Sequence, residues 1–155
     1  ELKFLLKNPH NKLQIEILQK LIPLVSKGKP ELLYIGDASD RDLRQKNERM
    51  EELGIKVMSQ SGNMPDIIFY DQQEKRVIFI EVYHSTDLLR ECVNALKSLC
   101  HCEAGTEAAF ITAFDTTAKM LKHYKEVAWY TEIWSSDELT HLLHKNGDKF
   151  VGRPL

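Results

Sequence analysis

Asp66 and Glu81 are the residues of this sequence best placed to do chemistry. Asp66 opens the apolar run Ile67–Tyr70, and Glu81 closes a second run, Val77–Ile80. The polar stretch Gln72–Lys75 lies between them, a pattern that reads as a β-hairpin. If the hairpin is symmetric about Gln73 and Glu74, Asp66 faces Glu81 across the ladder, with Cβ atoms roughly 5 Å apart. Carboxylates that close repel, raising one pKa unless a cation lies between them. Hard divalent ions such as Mg²⁺ take carboxylate oxygens and keep several waters. The spacing therefore describes a metal site for hydrolysing a phosphodiester. Pro65-Asp66 alone also reads as a turn. Glu81 argues for chemistry, because a buried strand gains no packing energy by ending in a carboxylate.

Elements that would position this pair are legible on both sides of the hairpin. A helix is predicted from about Asn11 to Ser26, where Leu13, Ile17, Leu21 and Leu24 form a stripe that Ile22 and Val25 widen. Pro23 should kink its last turn, and Lys27-Gly28-Lys29-Pro30 should stop it. Glu16 on this helix reads as an exposed side chain. Glu31–Ile35 is a short buried strand ending at Gly36-Asp37. Asp37 thus sits at a strand's carboxyl end, where α/β folds place ligands. It reads as well as an N-cap leading into a charged, solvated helix over Asp42–Leu53. The run from Gly36 to Asp42 lacks the glycines of a dinucleotide fingerprint, which discounts a Rossmann cofactor. Gly54–Ser59 reads as another short strand and Ser59–Met64 as a loop.

Downstream of Tyr83, a helix is predicted from Ser85 or Thr86 to Cys100, with Leu88 or Leu89, Cys92, Val93, Leu96 and Leu99 on its apolar side. Arg90 and Lys97 fall on nearly one face of it. They read either as solvent-facing cations or as a positive charge that swings toward the metal site. Cys100-His101-Cys102 lacks the two separated ligand pairs of a structural zinc site, so zinc is not expected. Ala108–Phe114 is a predicted strand, Thr116–Lys125 a helix, and Ala128–Ser135 an aromatic-rich strand. His141 and His144, in a predicted short helical stretch, read as surface or DNA-facing residues. Asn146-Gly147-Asp148 is a predicted tight turn. The order of elements is α/β: a mixed β-sheet flanked by helices.

A chain of 155 residues is expected to be one domain, 1–155, with a sizeable core. Its formal net charge of −2 argues against an overtly DNA-coating surface, although acidic metal ligands offset local basic patches. No apolar run approaches a membrane span and no secretory pattern opens the sequence. Three cysteines, an odd number, fit reduced thiols and a cytoplasmic location. The first residue, Glu1, suggests a trimmed chain or an excised domain.

Asp66 at the opening of one strand and Glu81-Val82-Tyr83 at the close of the next are similar to the PD-(D/E)XK nuclease core. Tyr83 stands at that motif's lysine position. The blocks A-F-I-T-A-F, E-V-A-W-Y-T-E-I-W and H-L-L-H-K-N-G-D-K-F-V-G, with L-Y-I-G-D and M-P-D-I-I-F-Y-D before them, resemble a narrower group. They look like the C-terminal catalytic domain of BsuBI/PstI-type type II restriction endonucleases, from about Leu33 to Gly152. The resemblance implies a restriction-endonuclease-like core and Mg²⁺-dependent cleavage of double-stranded DNA, leaving 5′-phosphates. It implies Asp66 and Glu81 as the metal-binding acids and matches Asp37 to the family's Gly-Asp block. Members of the family also follow the Glu with an apolar residue and no orthodox lysine, so Tyr83 need not mean a dead site. Arg41 fits a position where the family tends to carry Lys, a third candidate cation beside Arg90 and Lys97.

On this reading Asp66, Glu81 and the Val82 carbonyl hold Mg²⁺, and one of those cations stabilises the charge on the phosphate. Cutting both strands needs two sites, which implies a homodimer or a partner subunit. The family carries a longer N-terminal region that grips DNA, and little of it is expected here. Two other readings remain open: a catalytically degenerate DNA-binding or assembly module, and a repair or structure-specific nuclease.

Overall fold

Strand pairing decides where the acidic pair sits. The computed structural model of the chain describes residues 9–36, 44–45, 47–55, 65–83 and 105–145. Its strands are β1 (Glu31–Ile35), β2 (Arg44–Gln45), β3 (Ile67–Asp71), β4 (Arg76–Val82), β5 (Glu107–Phe114), β6 (Thr131–Ser135) and β7 (Leu143–Lys145). They form one sheet in the order β2-β1-β3-β4-β5-β6-β7. β4, β5 and β6 run parallel, and the remaining neighbours pair antiparallel. The predicted mixed α/β sheet is therefore present.

The predicted hairpin forms with the expected register. Asp71 lies opposite Arg76 and Ile67 opposite Ile80. Asp71, 1% exposed, organises the turn. Its Oδ1 accepts from the Gln73 and Glu74 N–H groups at 3.0 and 3.3 Å, an aspartate turn that needs no glycine. Its Oδ2 accepts from Lys27 N–H at 2.7 Å and so also anchors the loop after the first helix. Gly28 in that loop has φ +90°, and a Cβ there would stand 3.1 Å from Gln73 Oε1. Glycine is the residue that fits.

The first helix covers one face of the sheet. It runs as α1 (Pro9–Glu16), widens to π geometry over Ile17–Leu21 and returns to α over α2 (Ile22–Val25). In the wide turn Ile22 N–H donates to Ile17 O, five residues back. Pro23 follows directly, and a proline neither donates to the fourth carbonyl before it nor leaves that carbonyl room. The predicted kink is thus a widened turn. Leu13, Ile17, Leu21 and Ile22 pack on Ile35, Ile67, Phe69, Ile78, Ile80, Val82, Ile111, Ala113 and Trp134. Leu24, predicted in the stripe, is 42% exposed.

Residues of the other parity line the opposite face. Ile68, Tyr70, Val77, Phe79 and Phe110 pack with Met50 and Leu53 of the segment around α3 (Asn47–Glu52). Tyr83, Phe114 and Ile133 pack with Met120 and Val127, carried on and after α4 (Thr117–His123). α4 is capped twice: Thr116 Oγ1 accepts from Lys119 N–H, and Asp137 accepts from Thr117 N–H and Oγ1–H.

Several local expectations are corrected. The charged helix starts at Asn47, not Asp42, because Arg44 and Gln45 pair with Ile35 and Tyr34 and extend the sheet instead. β6 starts at Thr131, not Ala128. Tyr130 turns the chain with φ +62°, and its N–H donates to Lys145 O at 2.6 Å. His144 lies in a strand, not a helix, opposite Glu132 of β6. Of the predicted strand Gly54–Ser59 the described part ends at Ile55, and the helix predicted to reach Cys100 lies outside the described residues. Lys145, 4% exposed, closes this edge. Its Nζ donates to the Tyr124 and Val127 carbonyls at 3.0 and 2.6 Å and lies over the Tyr124 and Trp129 rings.

Asp71→Ala removes acceptors from three backbone donors at once. It should lower stability by about 2–3 kcal/mol, read in urea as a lower midpoint at unchanged slope.

Candidate active site

The hairpin register, continued by one residue, brings Asp66 level with Glu81. Glu81 shares the parity of Phe79 and Tyr83, so it emerges on the face away from α1, between the two apolar clusters there. On its other side, parallel pairing sets Thr112 beside Glu81 and Ile133 beside Thr112. Gly36 N–H donates to Asp66 O at 3.0 Å and ends β1 at the same level. Gly36, Asp66, Glu81, Thr112 and Ile133 thus make one row across five strands.

Pro65 explains the shape of the acidic end. The ladder position opposite Val82 belongs to Pro65, which has no N–H to bond the Val82 carbonyl. Val82 N–H donates instead to Asp66 Oδ2 at 2.7 Å. The N–H and C=O of one strand residue point to the same edge, so the Val82 carbonyl opens toward Asp66. Asp66 and Glu81 are both half-buried, and Glu81 Oε2 is fully buried. The structure brings together two carboxylates and this carbonyl, all hard oxygen donors. They suit a divalent ion that retains waters. Among the described residues no group of three or more His, Cys, Asp and Glu side chains gathers around a possible metal position. Asp37, Arg41, Arg90 and Lys97, and the Cys100-His101-Cys102 cluster, lie outside the described residues.

Tyr83, at the lysine position, commits its hydroxyl to a His–Glu pair at the end of α4. It donates to Glu126 Oε2 at 2.8 Å and lies 2.7 Å from His123 Nδ1, which is 3.1 Å from Glu126 Oε1. The phenol has one hydrogen and gives it to Glu126, so Nδ1 carries the ring hydrogen facing the two oxygens. The ring stacks on Phe114 at 4.8 Å. Burial first, then the bond to Glu126, pushes the phenol up to about 12. The His123 and Tyr83 hydrogen bonds hold the Glu126 carboxyl below its ordinary range. At neutral pH Tyr83 is thus an uncharged brace between β4 and the end of α4. His141 and His144 remain exposed, His144 beside Glu132, one register step from Ile133, and His141 beside Thr140.

Sequence reasoning missed Thr112, Gln14 and the His123–Glu126 pair. Thr112 was legible as the polar residue inside A-F-I-T-A-F. The contact of His123 and Glu126 with Tyr83 joins positions some forty residues apart and left no local signal.

Residues 3–148 match the family model of the BsuBI/PstI restriction endonuclease domain. The chain belongs to this family. It is 29% identical over 148 residues to the type II restriction enzyme BsuBI of Bacillus subtilis, covering 92% of this chain and 45% of that enzyme. It is 28% identical over 102 residues to the type II restriction enzyme AplI of Arthrospira platensis, covering 64% of this chain and 31% of the enzyme. The solved structure of the SdaI restriction endonuclease superposes with a TM-score of 0.82 at 28% identity, over 95% of this chain and 46% of that one. The chain spans at most about half the length of these relatives. The restriction-endonuclease-like core expected from the sequence is the fold observed. No helix among the described residues is long and apolar enough to cross a membrane.

The Tyr83–Glu126 bond makes a signed prediction. A phenol held above its ordinary value stabilises the fold below about pH 10 and loses that contribution as pH rises toward 12. A lowered carboxyl contributes above the ordinary carboxylate range and loses it as pH falls. Tyr83→Phe should therefore melt lower than wild type at pH 7, with the gap narrowing toward pH 12 and in strong acid. Melting curves across that range check it.

Proposed function

We propose that this chain is the catalytic domain, a single unit, of a type II restriction endonuclease that hydrolyses phosphodiester bonds of double-stranded DNA with Mg²⁺. The observation that carries this reading is the Asp66–Glu81 pair. The two acids stand level on adjacent strands with the Val82 carbonyl turned toward them, in a chain that belongs to a restriction endonuclease family.

Asp66, Glu81 and the Val82 carbonyl would hold the ion. Bound there, a divalent ion supplies Lewis acidity toward the scissile phosphate and lowers the pKa of the attacking water. Asp66 is oriented for this work by Val82 N–H, which donates to its Oδ2. Glu81 shares its face of β4 with Phe79 and Tyr83, members of the two apolar clusters there. Tyr83 brings no positive charge, so the cation that offsets charge on the phosphate comes from Arg41, Arg90 or Lys97. Cleavage of both strands calls for two such sites, supplied by a C₂ homodimer. Reduced thiols and DNA as substrate suit the cytoplasm.

A second reading rests on Tyr83 itself. With an uncharged phenol committed to Glu126, the domain would bind DNA or assemble without cutting it.

Plasmid cleavage with Mg²⁺, with Mn²⁺ and with EDTA separates the two. Cutting should require metal, and Glu81→Ala or Asp66→Ala should slow it by about 10²–10³-fold or more, as loss of a preorganised charge does. Undiminished cutting by both variants would sink the assignment of the acids. No cutting by wild type, even together with a relative's DNA-gripping region, would favour the silent module.

A further inference from the structure

The face of α1 that meets the sheet is not purely apolar. Beside Leu13, and next to Ile17 of the following π turn, it buries two amides, Asn11 at 2% and Gln14 at 0% exposure. A buried amide costs free energy unless its donors and acceptors are used. Here they are used in part. Gln14 Nε2 donates to Gly36 O at 2.6 Å. Gln14 Oε1 and Asn11 Oδ1 are buried with no hydrogen-bond partner among the described residues. A leucine at position 14 would fill similar volume without a stranded oxygen. Stability alone does not account for the amide.

Its donor end reaches the acidic pair through the backbone. Gly36, whose carbonyl takes the Gln14 bond, gives its N–H to Asp66 O, and Asp66 Oδ2 takes the Val82 N–H. Three hydrogen bonds therefore link α1, the end of β1, the head of β3 and the end of β4 in series. The ladder would otherwise end here, since Pro65 has no N–H to extend it and strand ends fray without partners. Gly36 has no side chain to wedge it in place.

We propose that Gln14 is a positioning residue for the metal-binding acids. By holding the carbonyl of Gly36, the residue after β1, it restrains Gly36 and, through the Gly36 N–H, the height of Asp66 against Val82 and Glu81. This rests on the metal-dependent reading above. Residues that orient metal ligands from behind typically change metal affinity by about 10–100-fold when removed.

Mn²⁺ titration followed by electron paramagnetic resonance tests it, on wild type, Glu81→Gln, Gln14→Met, Gln14→Asn and Ile17→Val. Gln14→Met keeps the length and removes the donor. Gln14→Asn keeps an amide that falls one methylene short of Gly36. Ile17→Val thins the same packing layer without touching Gly36 and calibrates what lost stability alone does. Both Gln14 variants should bind Mn²⁺ about tenfold more weakly than wild type, and Ile17→Val within about twofold, at comparable melting temperatures. Wild-type affinity in both Gln14 variants would overturn the proposal, as would an equal loss in Ile17→Val. Failure of both Gln14 variants to fold would also overturn it, assigning Gln14 to stability. If Glu81→Gln binds as wild type does, the metal site itself is misassigned, which is a separate failure.

Discussion

The acidic end of the molecule depends on the register of one hairpin. Side chains alternate along a strand, so a slip of one residue between β3 and β4 would move Glu81 off the level of Asp66 and set Ile67 and Ile80 against the wrong neighbours. Both isoleucines are fully buried under α1, and Ile68 and Phe79 are as closely packed on the other face. Apolar burial on two faces thus penalises any slip heavily. At the turn end Asp71 pins the register with bonds to three backbone donors. At the other end Pro65 stops the ladder one step early, and the opening it leaves is where Asp66 and Val82 meet.

Buried polar groups elsewhere act as braces between elements. Gln14 ties α1 to β1, Lys145 ties β7 to the chain after α4, and Tyr83 ties β4 to the end of α4. Each is more expensive to bury than an apolar residue of its size, and each joins two elements that apolar contact alone would allow to slide. Their positions follow a pattern. Gln14 and Tyr83 stand on either side of the acidic row, one behind the first strand and one beyond the second acid. The sheet's apolar layers supply the driving force for folding, while these directional bonds fix how the elements stand against one another around the two carboxylates. That division suits an acidic pair carried on two strand ends, because strand ends are where packing constrains the backbone least.

The chain matches about half the length of its relatives. The described residues contain the sheet, helices packed on it and the acidic row.

The hairpin, its turn, the acidic pair and the mixed sheet were all legible in the sequence, because alternation of apolar residues and the spacing of two acids are local signals. The family blocks extended that reading across nearly the whole chain. Local signals failed where a partner strand changed the outcome. Arg44 and Gln45 look helical alone and become strand only by pairing with β1, and His144 becomes strand by pairing with β6. The commitment of Tyr83 to His123 and Glu126, the seating of Thr112 beside Glu81 and the reach of Gln14 to Gly36 were decided by tertiary structure alone. Each joins residues between 22 and 43 positions apart, and no periodicity within one element carries information about which side chain of another will stand opposite it.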